Sequence, residues 1–365
     1  MRIFRFLLVC LLLGIIMSPS YAQLNRKKIK RNNKAISKYH GNKNAFTKEK
    51  RYSYISFAVN TFNYLGEIAP KSNWGSTRIG NTRPGFSASF GHRFGPRYSL
   101  RGSFTYGRLI ADDFKTADPG GENSQYRYIR NGSFRNDIME LSTVAVIDLF
   151  KNRGSYLSRV SLTPYLFAGV AVFHHNPKAQ VPSAYVLPAN TAPVAFANAG
   201  KWVALQPLGT EGQYANLDPS DANFGIKPYS LWQIAIPIGI GGRYRLADAL
   251  DISIDIGARV LFTDYLDDIS RNYVDLGVFD SDLARAMSNR SRDPLSASGE
   301  ARDISNWNTT TYTGRDGVVY EVINGFGQEF PTNNRGGKNF NDMYFVTNFR
   351  VAYIIGGKFR RAKYR

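Results

Sequence analysis

Few side chains in this sequence are spaced for chemistry. His174 and His175 are adjacent, and His92 stands alone far upstream. Neighbouring strand residues point to opposite faces, so the paired imidazoles do not readily chelate one ion. Asp264, Asp267 and Asp268 crowd together in Thr263–Ser270. Carboxylates of this kind suit hard cations such as calcium. No EF-hand-type loop with its closing glutamate surrounds them, so a solvated loop is the competing reading. A hydrolase needs a nucleophile, a base and an orienting acid that converge, and no segment carries a signature for that. The chain is therefore expected not to be an enzyme. No catalytic, cofactor-binding or metal-ligating residues are assigned, no cofactor is expected, and no small-molecule substrate is evident. Cys10 is the only cysteine and lies within the N-terminal apolar run. Removal of that run leaves no thiol for disulfides, thiolate sites or cysteine catalysis.

What must position any site is a set of alternating segments. From Trp232 to Tyr244, Trp232, Ile234, Ile236, Ile238 and Ile240 share one face with Gly242 and Tyr244. From Leu250 to Phe262, Ile252, Ile254, Ile256 and Val260 oppose Asp251, Ser253, Asp255 and Arg259. Period two gives each strand an oily and a polar face. Eight segments follow this rule: Tyr52–Asn60, Gly85–Phe94, Tyr98–Leu109, Ile138–Phe150, Leu162–Phe173, Leu231–Tyr244, Leu250–Thr263 and Tyr344–Ile355. Pro237 interrupts one of them and is expected to mark a bulge.

A soluble sandwich would bury the oily faces, whereas an outer-membrane barrel would turn them to lipid. Length and connection pattern favour the barrel. Most segments have about the ten residues that cross a bilayer at a tilt. Short turns alternate with connections of roughly 20, 30, 55 and 80 residues, well beyond an ordinary loop. The expected fold is all-β: a transmembrane antiparallel up-and-down barrel of about eight strands. Long extracellular loops and short periplasmic turns follow, with both termini in the periplasm. Hydrocarbon offers no partners to backbone amides, so the sheet must close. Inward-pointing Arg101, Glu140, Asp148, Asp251, Asp255, Arg259 and Arg350 could pair across a lumen that side chains largely fill. That argues against a general porin.

The ends divide the chain further. Arg2 and Arg5, the apolar run Phe6 to Ile16, and Ser20-Tyr21-Ala22 read as a secretory signal over residues 1–22. Residues 23–51 are expected to form a basic, disordered periplasmic segment, 52–357 the barrel, and 358–365 a basic periplasmic tail. The net charge of +19 is concentrated at these ends. Leu24 to Arg51 holds eleven Lys or Arg against one acid, Glu49. Such segments attract acidic partners or lipid headgroups by field rather than fit. Export removes nucleic acid from consideration as a partner. Arg26, Lys27, Lys28, Lys30, Arg31, Lys358, Arg360 and Arg361 are the candidate partner-docking residues, with a solvated tail as the bland alternative.

Four stretches carry a family likeness. They are Asn63–Ile68 (NYLGEI), Thr163–Ala179 (TPYLFAGVAVFHHNPKA), Leu205–Gln213 (LQPLGTEGQ) and Thr263–Ser270 (TDYLDDIS). In this order they resemble the PorG-like outer-membrane proteins of the type IX secretion system of Bacteroidetes-type bacteria, over about Tyr52 to Gly357. The resemblance implies a barrel that links the cell outer membrane to the periplasmic ring of lipoprotein and partner subunits. It implies no catalytic residues. The basic segment Leu24 to Lys50 is longer than the family leads one to expect. The expected role is thus a non-enzymatic secretion component that docks the ring. The alternatives are a barrel that binds a ligand or cell through Asn176–Tyr229 and Asp264–Asp342, or a narrow transport channel.

Overall fold

The computed structural model describes residues 46, 50–68, 81–117, 120–121, 124–185, 188–189, 192–337 and 341–355. The expected signal peptide and the proposed docking residues Arg26, Lys27, Lys28, Lys30, Arg31, Lys358, Arg360 and Arg361 lie outside the described residues. Eight long strands form the wall: β1 (Tyr52–Leu65), β2 (Arg83–Arg93), β3 (Tyr98–Asp112), β4 (Ser133–Asp148), β5 (Leu162–His174), β6 (Trp232–Arg245), β7 (Leu250–Leu261) and β8 (Met343–Ile355). Each pairs antiparallel with its successor. β8 returns to β1 from Ser53↔Ile355 to Leu65↔Met343, which closes the sheet. The architecture is a closed eight-stranded antiparallel β-barrel.

The oily faces of the strands point outwards. Phe57, Val59, Phe90, Leu141, Val170, Ile240, Ile254, Phe349 and Val351 are all exposed on the outer wall. A soluble protein rarely leaves so continuous an apolar surface to water. Together with closure, this is the exterior of a barrel that sits in a bilayer. Aromatics edge the belt, with Phe94, Tyr98 and Tyr244 near the short turns and Trp232 and Phe262 at the other rim. None of the helices among the described residues is long and apolar enough to cross a membrane, and the crossing is made by strands.

The lumen is polar below and apolar above. Near the short turns, Asp148 accepts from Arg93 (2.5 Å) and Arg243 (2.8 Å), and Asp251 from Arg159 (2.6 Å). Higher up, Asp255 faces Arg101 (3.5 Å) and Arg350 (3.7 Å), and takes hydrogen bonds from Tyr165 and Asn348. Above these, Arg259 meets Glu140. All seven lumen charges named from the sequence thus find partners. Phe62, Tyr64, Leu109, Phe134, Ile138, Phe173, Leu261 and Tyr344 then plug the loop-side end.

This plug explains why β1, β3 and β4 run further than the sequence segments. At their loop-side ends the pattern inverts: Phe62, Tyr64, Leu109 and Phe134 point inwards, whereas Asn63, Arg108, Arg135 and Asp137 point outwards. Arg108 and Asp137 pair on the outer surface at 2.5 Å. Here the wall has an oily inside and a polar outside, as in a water-soluble protein, so the barrel rises out of the lipid.

The expected bulge at Pro237 is absent. The β5–β6 ladder pairs Ala235 with Ala171 and resumes at Ile238↔Ala168 in the same register. The missing N–H removes a ladder bond without adding a residue.

The turns 94–97 and 246–249 are tight, while 149–161 includes a short helical turn at Tyr156–Ser158. The described parts of loops 175–231 and 262–342 fold into a cap. Pro177–Gln180 extends the sheet beside β4 and pairs with Trp202–Ala204. Thr309–Thr313 and Val319–Ile323 form a separate hairpin that adds nothing to the barrel wall. The helix Asp282–Ser288 starts on Ser281, whose side chain accepts from the Ala284 N–H. Tyr185, Val274, Leu276, Phe279, Ala284, Tyr320 and Val322 give the cap its own core.

Candidate functional site

The mouth of the barrel, where the cap meets the plug, gathers buried charge. Loop 66–82 brings Glu67, the start of loop 262–342 brings Asp267 and Asp268, its end brings Arg335 and Asp342, and loop 175–231 brings Glu211 and Tyr229. Backbone closure makes the meeting: β1 and β8 are paired up to Leu65↔Met343, which sets Gly66 beside Asp342. A side chain at position 66 would begin 1.9 Å from Tyr64 Oη and 2.1 Å from Asp342 Oδ1. Glycine is the residue that permits this approach.

Two networks share the mouth. In the first, Tyr64 Oη lies 2.7 Å from Asp267 Oδ2 and 2.6 Å from Asp342 Oδ1. The Ile269 N–H donates to Asp267 Oδ1, and the Leu266 N–H donates to Asp342 Oδ2. One carboxylate oxygen from each of Glu67, Asp267 and Asp342 lies within 4.8 Å of the others. Burial, then repulsion from neighbouring carboxylates, holds the carboxyls of Asp267 and Asp342 well above the usual range. Burial and nearby Asp264 push Glu67 up to about 7.

In the second network, Arg335 Nη1 donates to Glu211 (3.1 Å), and Arg335 Nη2 stands 3.7 Å from Asp268. Thr210 and Tyr229 also donate to Asp268, at 2.5 and 2.7 Å, and Tyr265 donates to Glu211. Asp268 holds φ at +70°, a left-handed conformation that Asp tolerates better than most residues. Burial raises its pKa to about 6 against the lowering pull of Arg335. Nearby, Arg130 clasps Asp113 at 2.8 and 2.9 Å and donates to the carbonyls of Arg335 and Glu67.

The sequence groups Asp264, Asp267 and Asp268 together, but the fold separates them. Asp267 joins Glu67 and Asp342, Asp268 turns to Arg335, and Asp264 stands half-buried beside Glu67 without joining the trio. Local spacing carries no sign of Glu67 or Asp342, because barrel closure is what brings them in. The likeness motifs hold the available signal: Tyr64 and Glu67 fall in the first, Thr210 and Glu211 in the third, Asp267 and Asp268 in the fourth.

The histidines divide as strand alternation requires. His174 points outwards against Trp232, with ring centroids 5.1 Å apart. His175 is fully buried, next to Phe173 and Tyr229. Its Nε2 lies 3.1 Å from the Ser230 carbonyl, and Asn136 Nδ2 approaches Nδ1 at 3.4 Å. Burial lowers its pKa to about 4, so it is neutral. His92 is exposed beside Ser53.

A family model described as a domain of unknown function (DUF6089) matches residues 44–187, the part that holds β1 to β5. No curated protein matches the chain. Similar solved structures include OprG from Pseudomonas aeruginosa, at 7% identity over 85% of this chain and 98% of that one, with a TM-score of 0.34. Ail, the attachment invasion locus protein of Yersinia pestis, is 8% identical over 84% of this chain and 99% of that one, with a TM-score of 0.31. A major outer membrane protein from Thermus thermophilus is 12% identical over 83% of this chain and 99% of that one, with a TM-score of 0.31. At these values the likenesses carry no function. The outer-membrane β-barrel fold rests on the pairing and the apolar wall described above.

Proposed function

We propose that this outer-membrane barrel is a non-enzymatic anchor in a type IX protein secretion system, where it docks the periplasmic ring. The observation that carries the anchor reading is the filled lumen. Successive tiers of buried ion pairs and an aromatic plug occupy the interior where a conduit would need water. The secretion system itself is supported by the four PorG-like motifs, three of which contribute side chains to the mouth networks. Docking is supported by charge. The first residue of β1, Tyr52, and the last of β8, Ile355, lie at one rim, and the sequence before the one and after the other is rich in Lys and Arg. Lys151 and Arg153 stand on a turn at that rim.

The test is a pull-down from detergent-solubilised outer membranes, with and without Arg26–Lys50. Ring subunits should accompany the full chain and be lost on deletion while the barrel still inserts. Unchanged recovery removes the arm from the reading, and absence of ring subunits from the full chain removes the secretion role.

One observation favours a second reading, a surface that binds through its loops: the cap has its own apolar core and is therefore a folded platform. Excision of the hairpin 309–323 that abolishes surface binding and leaves secretion normal would support it. Ion conductance in planar bilayers would instead revive the narrow channel.

A further inference from the structure

The mouth trio is short of positive charge and of hydrogen-bond donors. Tyr64 has one hydroxyl hydrogen and two carboxylate oxygens within 2.7 Å, so only one of them can receive it. Glu67 is 7% exposed, and its Oε2 has no hydrogen-bond partner. Buried carboxylate oxygens without donors are costly. None of the ion pairs among the described residues includes Glu67, Asp267 or Asp342. Arg130, whose charge reaches both Glu67 and Asp267, spends its guanidinium on Asp113 and two backbone carbonyls.

The geometry fits a shared ion. Oxygens bound at about 2.4 Å to calcium lie no more than about 4.8 Å apart across its sphere, and the three ligand oxygens meet that limit. Every donor is oxygen, with no imidazole or thiolate in the group, which selects a hard cation over zinc or copper. Glu67, one of the three, also lines an open cleft of about 1030 Å³ beside Arg130, so the cluster is approached from its Glu67 side.

We propose that Glu67, Asp267 and Asp342 bind one hard divalent cation of the calcium class at the barrel mouth. The ion ties the first loop to both ends of the last loop and so locks the cap onto the wall. Tyr64 keeps its hydroxyl hydrogen and orients the two aspartates. The site depends on the barrel and its loops, and a failed ring pull-down leaves it untouched.

The experiment is calcium titration by calorimetry of the full chain, purified in detergent and stripped with a chelator. Terbium provides a second probe through emission sensitised by Tyr64. Saturable binding near one calcium per chain is expected, with calcium competing off the terbium signal. Glu67→Gln keeps the side-chain shape and should weaken calcium at least tenfold. Asp267→Asn with Asp342→Asn should abolish binding, and retained heat-modifiable gel migration reports that the barrel is folded. If that double variant does not fold, Glu67→Gln decides alone. Absence of saturable calcium binding by the native chain, or unchanged affinity in Glu67→Gln, overturns the proposal.

Discussion

Arg259 on β7 reaches across the lumen to Glu140 on β4, with Nε and Nη2 at 3.1 and 3.2 Å from the two carboxylate oxygens. Both side chains are almost completely buried, so each is the other's replacement for water. Removing one leaves an uncompensated buried charge, which costs about 3–5 kcal/mol. Arg259→Met and Glu140→Gln should each lower the urea midpoint of refolding into vesicles, and the double variant should recover most of the loss. Additive losses in the double variant would show that the two residues act separately.

The outer wall makes a second, depth-dependent prediction. Leu141 is 66% exposed in the middle of β4, and Leu141→Arg should cost about 2–4 kcal/mol in a bilayer. Thr61 lies on the outer face of β1, where the pattern turns polar. Thr61→Arg there should cost about 0–1 kcal/mol. Equal costs at both positions would place the lipid boundary elsewhere.

At Gly66 the two lips of the closing seam touch. Gly66→Ala puts a methyl group against Tyr64 and Asp342, and overpacking of this kind costs about 1–3 kcal/mol. Chymotrypsin should cut loop 262–342 faster in this variant while the strands stay protected. An unchanged digestion pattern would mean that the mouth yields freely.

His175 gives the mouth a pH term. Asn136 Oδ1 accepts from the Asn176 N–H and its Nδ2 donates to the Leu266 carbonyl, so the amide is fixed with its donor towards Nδ1. Protonation of that nitrogen would set two donors face to face. Burial depresses the folded pKa from 6.5 to about 4. The stabilisation is therefore complete above pH 6.5 and is lost as pH falls towards 4, on the order of 3 kcal/mol in all. Asp268, raised to about 6, has the opposite sign: its term is present at low pH and lost as pH rises. The comparison of the native chain with His175→Gln isolates the histidine. Parallel stability profiles for the two proteins between pH 4 and 6.5 would dispose of this account.

Much of the wall was legible in the sequence because lipid enforces one rule on most strands. Ile252, Ile254 and Ile256 have to face outwards if Asp251 and Asp255 are to face a lumen. The rule fails above the bilayer, which is why Phe62, Tyr64 and Phe134 escaped it: there water is outside and the apolar residues turn in. Lumen charges such as Arg101 and Asp255 were visible as inward positions, though their partners were not. The mouth was legible only in fragments. Asp267 stood out beside Asp268, yet its companions Glu67 and Asp342 come from far along the chain. Pro237 lost a ladder bond without a bulge, because the neighbouring pairs hold the register on both sides of it.

Closure of β8 onto β1 has a consequence for the order of assembly. Ser53 and Ile355 are ladder neighbours, so the first strand waits for the last before its open edge is satisfied. A partly made wall would expose a row of bare amides that oil cannot serve. Insertion must therefore follow synthesis of the whole barrel, or proceed with that edge sheltered by another protein. A chain cut short before Met343 should stay out of a bilayer that holds no such protein, however greasy its seven finished staves.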